Sequence, residues 1–313
     1  IDLRAAAGPT RAHVRGTLLD PLRLRDFDLK LAIAGQNLDD LFPLLGVALP
    51  PTPPYALDGR FTRSIDAPAR STWKYDGFTG KVGDSDLSCT AHVSAGGKGK
   101  PYLKADLRSA RLDLDDLGGF IGLAPKADAG ENTNPELATQ AAQQKARDKL
   151  LPDDPWNLVK LRAMDADVRL RAKRIETRTL PVDDMDATLA LKDGVLVLKP
   201  LDFGVADGTI RSTIRMDARE RVIRSRADIR ATGLVLAKLM PDSAQLAQSA
   251  VGKVGGKVAF DSSGNSIALL AGHATGDAEA GMGAGRISKL LMEFAGLGLA
   301  GIPKIKLPRA KQI

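Results

Sequence analysis

Long stretches of the chain alternate between apolar and polar residues with a period of two. Residues 209–217 show the pattern clearly, because Ile210, Ser212, Ile214 and Met216 alternate there with Arg211, Thr213 and Arg215. Successive side chains of a β-strand point to opposite faces, so this segment predicts a strand with one polar face and one apolar face. The same pattern recurs along much of the chain. The function therefore depends on what covers the shared apolar face.

Residues 165–231 are predicted to form a meander of such strands. The alternation recurs at residues 165–171, 183–191 and 223–231, and the tripeptides Lys-Asp-Gly at 192–194 and Ala-Asp-Gly at 206–208 are typical of tight hairpin turns. Short turns between successive strands favour an antiparallel sheet. Residues 195–198 depart from the alternation because they are apolar on both faces. We expect part of that strand to be buried on two sides, under a helix or a loop.

Three strand-like segments are each followed by an L-x-x-L segment that is typical of a short helix. These units lie in the first, second and last thirds of the chain, and their irregular spacing does not fit a regular solenoid. Near the carboxyl terminus, apolar residues from Ile287 to Leu297 recur at helical spacing. Short helices are therefore predicted at about residues 39–45, 115–121, 235–240 and 286–294.

These segments divide the chain into four predicted regions. Residues 1–125 and 156–285 form two parts of a mainly antiparallel β structure. Between them, residues 126–155 are rich in Ala, Gln, Asp and Lys, as is typical of a polar insert or linker. Residues 286–313 form a helix and a tail.

Composition adds little to this picture. The 313 residues can bury a sizeable core, and 45 Lys and Arg against 38 Asp and Glu give a formal charge of +7. Such a balance favours anionic surfaces, either nucleic acid or lipid headgroups, although the charges are interspersed along the strands as on a solvated face. The single cysteine, Cys89, excludes an internal disulfide. The longest apolar run, residues 290–302, is too short to span a bilayer. Because the chain begins at Ile1, we expect a fragment of a longer protein.

The sequence contains no motif that predicts catalysis or cofactor binding. His13, His92 and His273 are isolated from one another, so we expect no metal site. The glycines at 252–256 do not have the spacing of a phosphate-binding loop. Cys89 has no base nearby in the sequence, and adjacent aspartates are better explained by helix capping. Stacking aromatics are not interleaved with the arginines, so we expect no nucleic-acid binding. We predict a protein that is not an enzyme and needs no cofactor.

Four stretches together resemble the AsmA family of bacterial envelope proteins. They are residues 26–61, residues 80–93 ("GKVGDSDLSCTAHV"), residues 100–122 ("KPYLKADLRSARLDLDDLGGFIG") and residues 183–218, which include "DGVLVLKPLDFGVADG". Their order makes the set specific, and the chain is similar to the C-terminal part of that family's periplasmic region. Two features depart from the family: Cys89 stands where Gly is usual, and the amino-terminal membrane anchor is missing.

The resemblance implies a periplasmic protein that is anchored to the inner membrane in its full-length form. It also implies a curved antiparallel sheet that forms an apolar groove, as in bridge-like lipid transfer proteins, with short capping helices. Acyl chains of phospholipid would then cover part of the apolar face, and inner-membrane or outer-membrane proteins would be partners. The alternative is a periplasmic scaffold with a closed core. The predicted groove-lining residues are Val168, Leu170, Met185, Leu189, Leu191, Phe203, Val205, Ile210, Ile214, Met216, Ile223 and Ile229.

Overall fold

A computed structural model describes residues 1–20, 25–42, 47, 49–67, 70–116, 138, 139, 142, 151, 153–177, 182–239, 252–282, 305 and 306. These residues form one sheet of fifteen strands, in which each strand pairs with its neighbours in the sequence. The predicted mainly β fold is therefore confirmed. The strands are β1 (Asp2–Ala7), β2 (Thr10–Asp20), β3 (Arg25–Gly35), β4 (Tyr55–Ala67), β5 (Arg70–Val82), β6 (Ser85–Gly96), β7 (Tyr102–Asp113), β8 (Asp165–Glu176), β9 (Val182–Lys192), β10 (Val195–Val205), β11 (Gly208–Asp217), β12 (Arg224–Val235), β13 (Lys253–Ser263), β14 (Thr275–Met282) and β15 (Ile305–Lys306).

One strand pair breaks the antiparallel order. Strands β7 and β8 run in parallel, with Tyr102 opposite Asp165, whereas the neighbouring pairs β6–β7 and β8–β9 are antiparallel. A parallel pair needs a long connection that returns the chain to the same end of the sheet. Residues 114–164 form this connection. The predicted insert, residues 126–155, falls within it, and most of that insert lies outside the described residues.

Both predicted hairpin turns are present. Asp193 and Gly194 join β9 to β10 with φ values of 49° and 77°, and Ala206 and Asp207 join β10 to β11 with φ values of 49° and 59°. Two consecutive residues with positive φ form a turn whose twist matches that of the flanking strands. The register is fixed accordingly, because Lys192 pairs with Val195 and Val205 pairs with Gly208.

A bulge interrupts β10 after residue 198. Leu198 pairs with Leu189 and Ile214, and the next paired residue, Leu201, faces Ala187 and Ser212. The dipeptide Lys199-Pro200 is absorbed in the bulge, so the side chains of Leu198 and Leu201 share a face although they are three positions apart. Residues 195–198 are only half-buried. The expectation that this strand is buried on two sides is therefore wrong.

The predicted helices are short turns where the structure describes them. A 3-10 helix spans Leu38–Leu41, another spans Leu236–Leu239, and residues 115–116 begin a third turn. The remainder of the segment 115–121, together with 286–294, lies outside the described residues. Two α-helices not predicted from the sequence are α1 (Leu158–Ala163) and α2 (Ile267–Gly272). Each has only six residues, so its apolar periodicity is too short to recognise.

The first two L-x-x-L units begin with the same cap. Oδ1 of Asn37 accepts a hydrogen bond from the backbone N–H of Asp39 at 3.0 Å, and Oδ1 of Asp113 accepts one from Asp115 at 2.8 Å. In each unit the acceptor lies two residues before the donor, which satisfies an N–H group at the start of the turn. The internal repeat is therefore a repeated strand-and-cap unit.

Candidate functional site

One face of the sheet is apolar over nearly its whole width. A cross-strand row, which we term the central row, runs from β3 to β14 without a charged side chain. Neighbouring strands lie about 4.8 Å apart, so a row of twelve strands extends on the order of 50 Å. The members of the central row are Leu29, Phe61, Tyr75, Ala91, Ala105, Val168, Leu189, Leu198, Ile214, Ala227, Phe260 and Gly276.

Two flanking rows widen this face. The first flanking row, on the side of the turn at 193–194, consists of Arg63, Trp73, Val93, Leu103, Ala166, Leu191, Leu196, Met216, Ser225 and Ser262. The second flanking row consists of Phe78, Cys89, Leu107, Leu170, Ala187, Leu201, Ser212, Ile229, Val258 and Ala278. We term the three rows together the apolar face.

The structure brings eleven of the twelve predicted groove-lining residues together on one side of the sheet. Seven of them belong to the three rows: Val168, Leu170, Leu189, Leu191, Ile214, Met216 and Ile229. Met185 packs beside Leu170, and Phe203, Val205 and Ile210 form a cluster at the adjoining end of the sheet. Ile223 lies in the connection before β12 and is fully buried. Their contact with lipid stays a prediction.

Burial separates these twelve residues into two groups. Leu191, Val205 and Ile223 are buried by other parts of the chain, with 6%, 5% and 0% of their surfaces exposed. The other nine are half-buried. Only a side chain with remaining exposed surface can contact a ligand without rearrangement, so these nine are the better candidates.

Sequence reasoning missed the first half of the apolar face. Aromatic rings cross β3, β4 and β5 there, with centroids 5.1 Å apart for Phe27 and Phe61, 4.7 Å for Phe61 and Tyr75, and 5.5 Å for Tyr75 and Phe78. Burial raises the pKa of the Tyr75 hydroxyl. The alternation of residues 27–33 in β3 could have predicted this part of the apolar face. In β5, a bulge between Tyr75 and Phe78 interrupts the alternation of apolar and polar residues.

The connection between β3 and β4 covers part of the apolar face. Val47 is fully buried and belongs to a cluster with Val93, Leu103 and Leu191, which come from β6, β7 and β9. Leu49 packs against this cluster and also against a second one around Leu41 at the start of the connection. This cover lies over the end of the face that is nearest the first flanking row.

Helix α1, which lies in the second half of the chain, contacts the connection between β3 and β4 through Lys160. Nζ of Lys160 lies 2.5 Å from Oδ1 of Asp39 and 5.4 Å from the ring centroid of Phe42. At the base of the connection, Oδ1 of Asn37 accepts a hydrogen bond from the N–H of Thr52, and Oγ1 of Thr52 accepts one from the N–H of Leu38, both at 3.0 Å. These contacts close the base of the connection and join it to α1.

The opposite face of the sheet is charged and extensively ion-paired. Arg169 makes two hydrogen bonds to Asp186, at 3.1 and 2.7 Å, and Arg171 makes two to Asp106, at 2.9 and 2.8 Å. Paired guanidinium and carboxylate groups of this kind interact well with water but poorly with hydrocarbon. The two faces therefore have opposite chemistry, as the alternation predicts.

Residues 85–86, at the start of β6, contact residues 109–111 near the end of β7. The carboxylate of Asp86 accepts hydrogen bonds from the N–H groups of Ala110 and Arg111 and from Oγ of Ser109, at 3.1, 2.5 and 2.9 Å. Partial burial acts to raise the pKa of Asp86, but these donors outweigh it and hold the pKa below its ordinary value. This carboxylate therefore joins the start of β6 to residues 109–111 of β7.

The neighbouring Ser85 completes that junction. Its N–H and Oγ both donate to Oδ2 of Asp116, at 2.9 and 2.5 Å, and its Oγ accepts the N–H of Asp113 at 2.9 Å. Because Ser85 and Asp116 are buried, these hydrogen bonds are shielded from water. The carboxylate of Asp116 thus binds Ser85, whereas the cap of this turn is Asp113, so a capping role for Asp115 and Asp116 stays a prediction.

The other residues considered from the sequence lie apart. His13 contacts Asp2 at 2.7 Å, His92 contacts Asp76 at 3.6 Å, and Nδ1 of His273 lies 2.8 Å from the carbonyl oxygen of Ser263. Across the described part of the chain, no three His, Cys, Asp or Glu side chains are close enough to hold a metal ion. Burial raises the pKa of the Cys89 thiol to about 11. The glycines at 255 and 256 lie within β13 rather than in a loop.

No helix within the described ranges has both the length and the apolar character needed to cross a membrane. The two faces described above define a class of fold, namely an open β-sheet with one apolar face and one ion-paired face.

Comparison with known proteins assigns the chain to a family. The model of the AsmA family matches residues 4–304, and the chain belongs to this family of bacterial envelope proteins. AsmA family protein YhjG of Escherichia coli K12 is 38% identical to it over 299 residues. That alignment covers 94% of this chain and 43% of YhjG, so the chain spans less than half the length of this relative. No solved structure matches the chain significantly.

Proposed function

We propose that the chain is a non-enzymatic lipid-binding and lipid-transfer module, whose apolar face carries the acyl chains of phospholipids. The observation behind the proposal is the central row, which crosses twelve strands without a charged side chain and includes half-buried residues such as Val168, Leu189 and Ile214. Soluble proteins rarely leave apolar surfaces of such extent without a ligand or a partner. Acyl chains of phospholipid would cover the part of the apolar face that the chain itself leaves exposed.

The energetics suit a ligand without a specific polar contact. Burial of one methylene group contributes about 0.8 kcal/mol, so ten methylenes contribute roughly 8 kcal/mol before the cost of ordering the lipid. That gross energy corresponds to a dissociation constant on the order of 1 μM. Because neighbouring positions in the central row are all apolar, an acyl chain could move from strand to strand without breaking a hydrogen bond.

We further propose the setting of this activity. The family is one of envelope proteins, and a long apolar face between two membranes suits phospholipid transfer through the periplasm towards the outer membrane. The full-length protein would be anchored in the inner membrane, and proteins of the inner or outer membrane would receive or supply the lipid. The function would thus contribute to outer-membrane lipid homeostasis.

Site-specific photo-crosslinking tests the proposal. A photoreactive amino acid at Ile214 or Phe203, in the protein expressed in cells, is expected to form adducts with phospholipid. The same amino acid at Arg211, which is exposed on the opposite face of β11, is the matched control and is expected to form none. Adducts only with protein segments at Ile214 and Phe203 would favour the scaffold with a closed core.

A further inference from the structure

Three cations stand side by side on the charged face of the sheet. Arg211 of β11 lies opposite Arg230 of β12, which in turn lies opposite Lys257 of β13. Their sequence neighbours Ile229 and Val258 belong to the second flanking row, so the three cations point away from the apolar face. All three side chains are exposed. We term this set the cationic ladder.

No carboxylate among the described residues forms an ion pair with the cationic ladder. Asp202 and Glu279 lie opposite its two ends, Arg211 and Lys257, whereas Arg230 has a cation on either side. Like charges that lie directly opposite one another destabilise a sheet. A partner that supplies anions to this row would relieve the repulsion, so its binding is favoured.

The neighbouring cation in β12 shows what the ladder lacks. Arg226 lies four positions before Arg230, with Nε 3.6 Å from Oδ2 of Asp228 and Nη1 3.5 Å from Oδ2 of Asp261. Each strand that carries a member of the ladder is thus able to place carboxylates beside an arginine. The missing counterions are therefore a property of this row and not of the whole charged face.

The dimensions of the cationic ladder match one face of an α-helix. Neighbouring strands lie about 4.8 Å apart, so the three cations span on the order of 10 Å across the sheet. Residues i and i+7 of a helix are about 10.5 Å apart along its axis, and residue i+4 lies between them on the same face. A broad anionic surface fits less well, because it would also meet the carboxylates of Asp202 and Glu279 at the two ends.

We infer that the cationic ladder docks an acidic helix of a partner protein, with carboxylates at positions i, i+4 and i+7. The inference goes beyond the proposed function and does not rest on it, since the ladder lies on the face opposite to the apolar face. Docking there leaves the apolar face uncovered. A partner protein and an acyl chain can therefore bind at the same time.

Binding of two helical peptides to the full chain tests this inference. Both peptides are alanine-rich, carry the same fluorescent label and contain the same number of glutamates. The aligned peptide has its glutamates at i, i+4 and i+7, and the dispersed peptide has them spread around the helix. The wild type is expected to bind the aligned peptide about tenfold more tightly, because exposed ion pairs each contribute modestly. This preference should diminish as the salt concentration rises.

Variants of the central cation separate the ladder from total charge. Arg230→Gln is expected to abolish the preference for the aligned peptide, and Arg230→Lys to retain it, because the charge is kept. Arg4→Gln is the matched control, since it removes an equally exposed cation from the distant strand β1 and should keep the preference. Denaturant unfolding verifies the fold, and Arg230→Gln should not lower the midpoint, because it removes a repulsion.

The outcomes decide between the possible occupants of the ladder. Equal binding of both peptides by the wild type, or an unchanged preference in Arg230→Gln, would overturn the inference. Binding to phosphatidylglycerol vesicles or self-association that Arg230→Gln abolishes, without binding of either peptide, would also overturn it, in favour of a membrane surface or a second copy of the chain. Since the peptides have no acyl chains, failure of the inference leaves the proposed function standing.

Discussion

Ile214 of β11 lies directly opposite Leu198 of β10, and both side chains are half-buried in the central row. Cross-strand apolar pairs of this kind contribute to the stability of a sheet, yet here part of the paired surface remains uncovered. The same relationship recurs along the row, for example between Val168 and Leu189. The apolar face is therefore both a structural element and the candidate binding surface, and buried and half-buried positions should respond differently to mutation.

A charge at a buried position of the apolar face should destabilise the fold. Leu191 is 6% exposed and packs in the cluster around Val47, so Leu191→Asp is expected to lower the free energy of unfolding by about 3 kcal/mol or more. Ile214→Asp, at a half-buried site, should cost less. Denaturant unfolding measures both.

The controls for this prediction are on the charged face. Arg211→Ser and Arg226→Ser alter exposed side chains and are expected to leave the unfolding midpoint nearly unchanged. Equal midpoints for Leu191→Asp and Arg211→Ser would show that the two faces are assigned incorrectly.

The connection between β3 and β4 should depend on Val47. This side chain is fully buried against strands of the sheet, so Val47→Ala is expected to cost about 2 kcal/mol. Val159→Ala is a matched control, because Val159 lies in α1 with 76% of its surface exposed. A cost no larger at Val47 than at Val159, measured by denaturant unfolding, would refute the proposed cover.

The junction at Asp86 should weaken in acid. Because the donors of β7 lower the pKa of Asp86 in the folded state, its stabilising contribution is present above the ordinary pKa of about 4. It is lost as the pH falls through the lower folded-state value. Asp86→Asn should therefore reduce stability at pH 7 and reduce the loss of stability between pH 7 and pH 3.

The exposed Asp84, in the turn between β5 and β6, provides the control. Asp84→Asn is expected to leave the dependence of the unfolding midpoint on pH unchanged. An Asp86→Asn variant with the acid profile of the wild type would exclude a role for this carboxylate in acid unfolding.

Alternation in the sequence predicts the faces of the strands, but it does not predict their partners. The strands from β8 to β12 follow directly from it, and so does the pairing of β9, β10 and β11, because the two hairpin turns that join these three strands are each two residues long. The parallel pairing of β7 with β8 does not, since residues 114–164 separate the two strands and no local signal fixes their register. The packing of Val47 against Leu103 and Leu191 is equally non-local.

Arg63 shows a second limit of such reasoning. A charged residue in an alternating segment is ordinarily assigned to the outward face, and only the contact of Arg63 with Trp73 reveals its inward position. The bulge in β10 is similar, because Lys199-Pro200 shifts the alternation by one residue and places Leu198 and Leu201 on the same face. Both features depend on register, which the three-dimensional structure alone defines.

Obstruction of the central row should stop lipid movement without loss of the fold. Ile214→Glu places a carboxylate among hydrocarbon side chains, which repels an acyl chain because an unpaired charge is poorly solvated there. The expected result is a large loss of phospholipid transfer between donor and acceptor vesicles, with the circular dichroism spectrum of the wild type. Arg215→Glu changes the neighbouring exposed residue and should preserve transfer.

The most direct measurement is mass spectrometry of lipid extracted from the full chain after its purification from cells. We expect phospholipid in amounts comparable to the protein, retained by Arg215→Glu and largely lost from a folded Ile214→Glu variant. A folded wild-type chain that carries no lipid, and takes up none from vesicles, would contradict the account and leave a scaffold with a closed core.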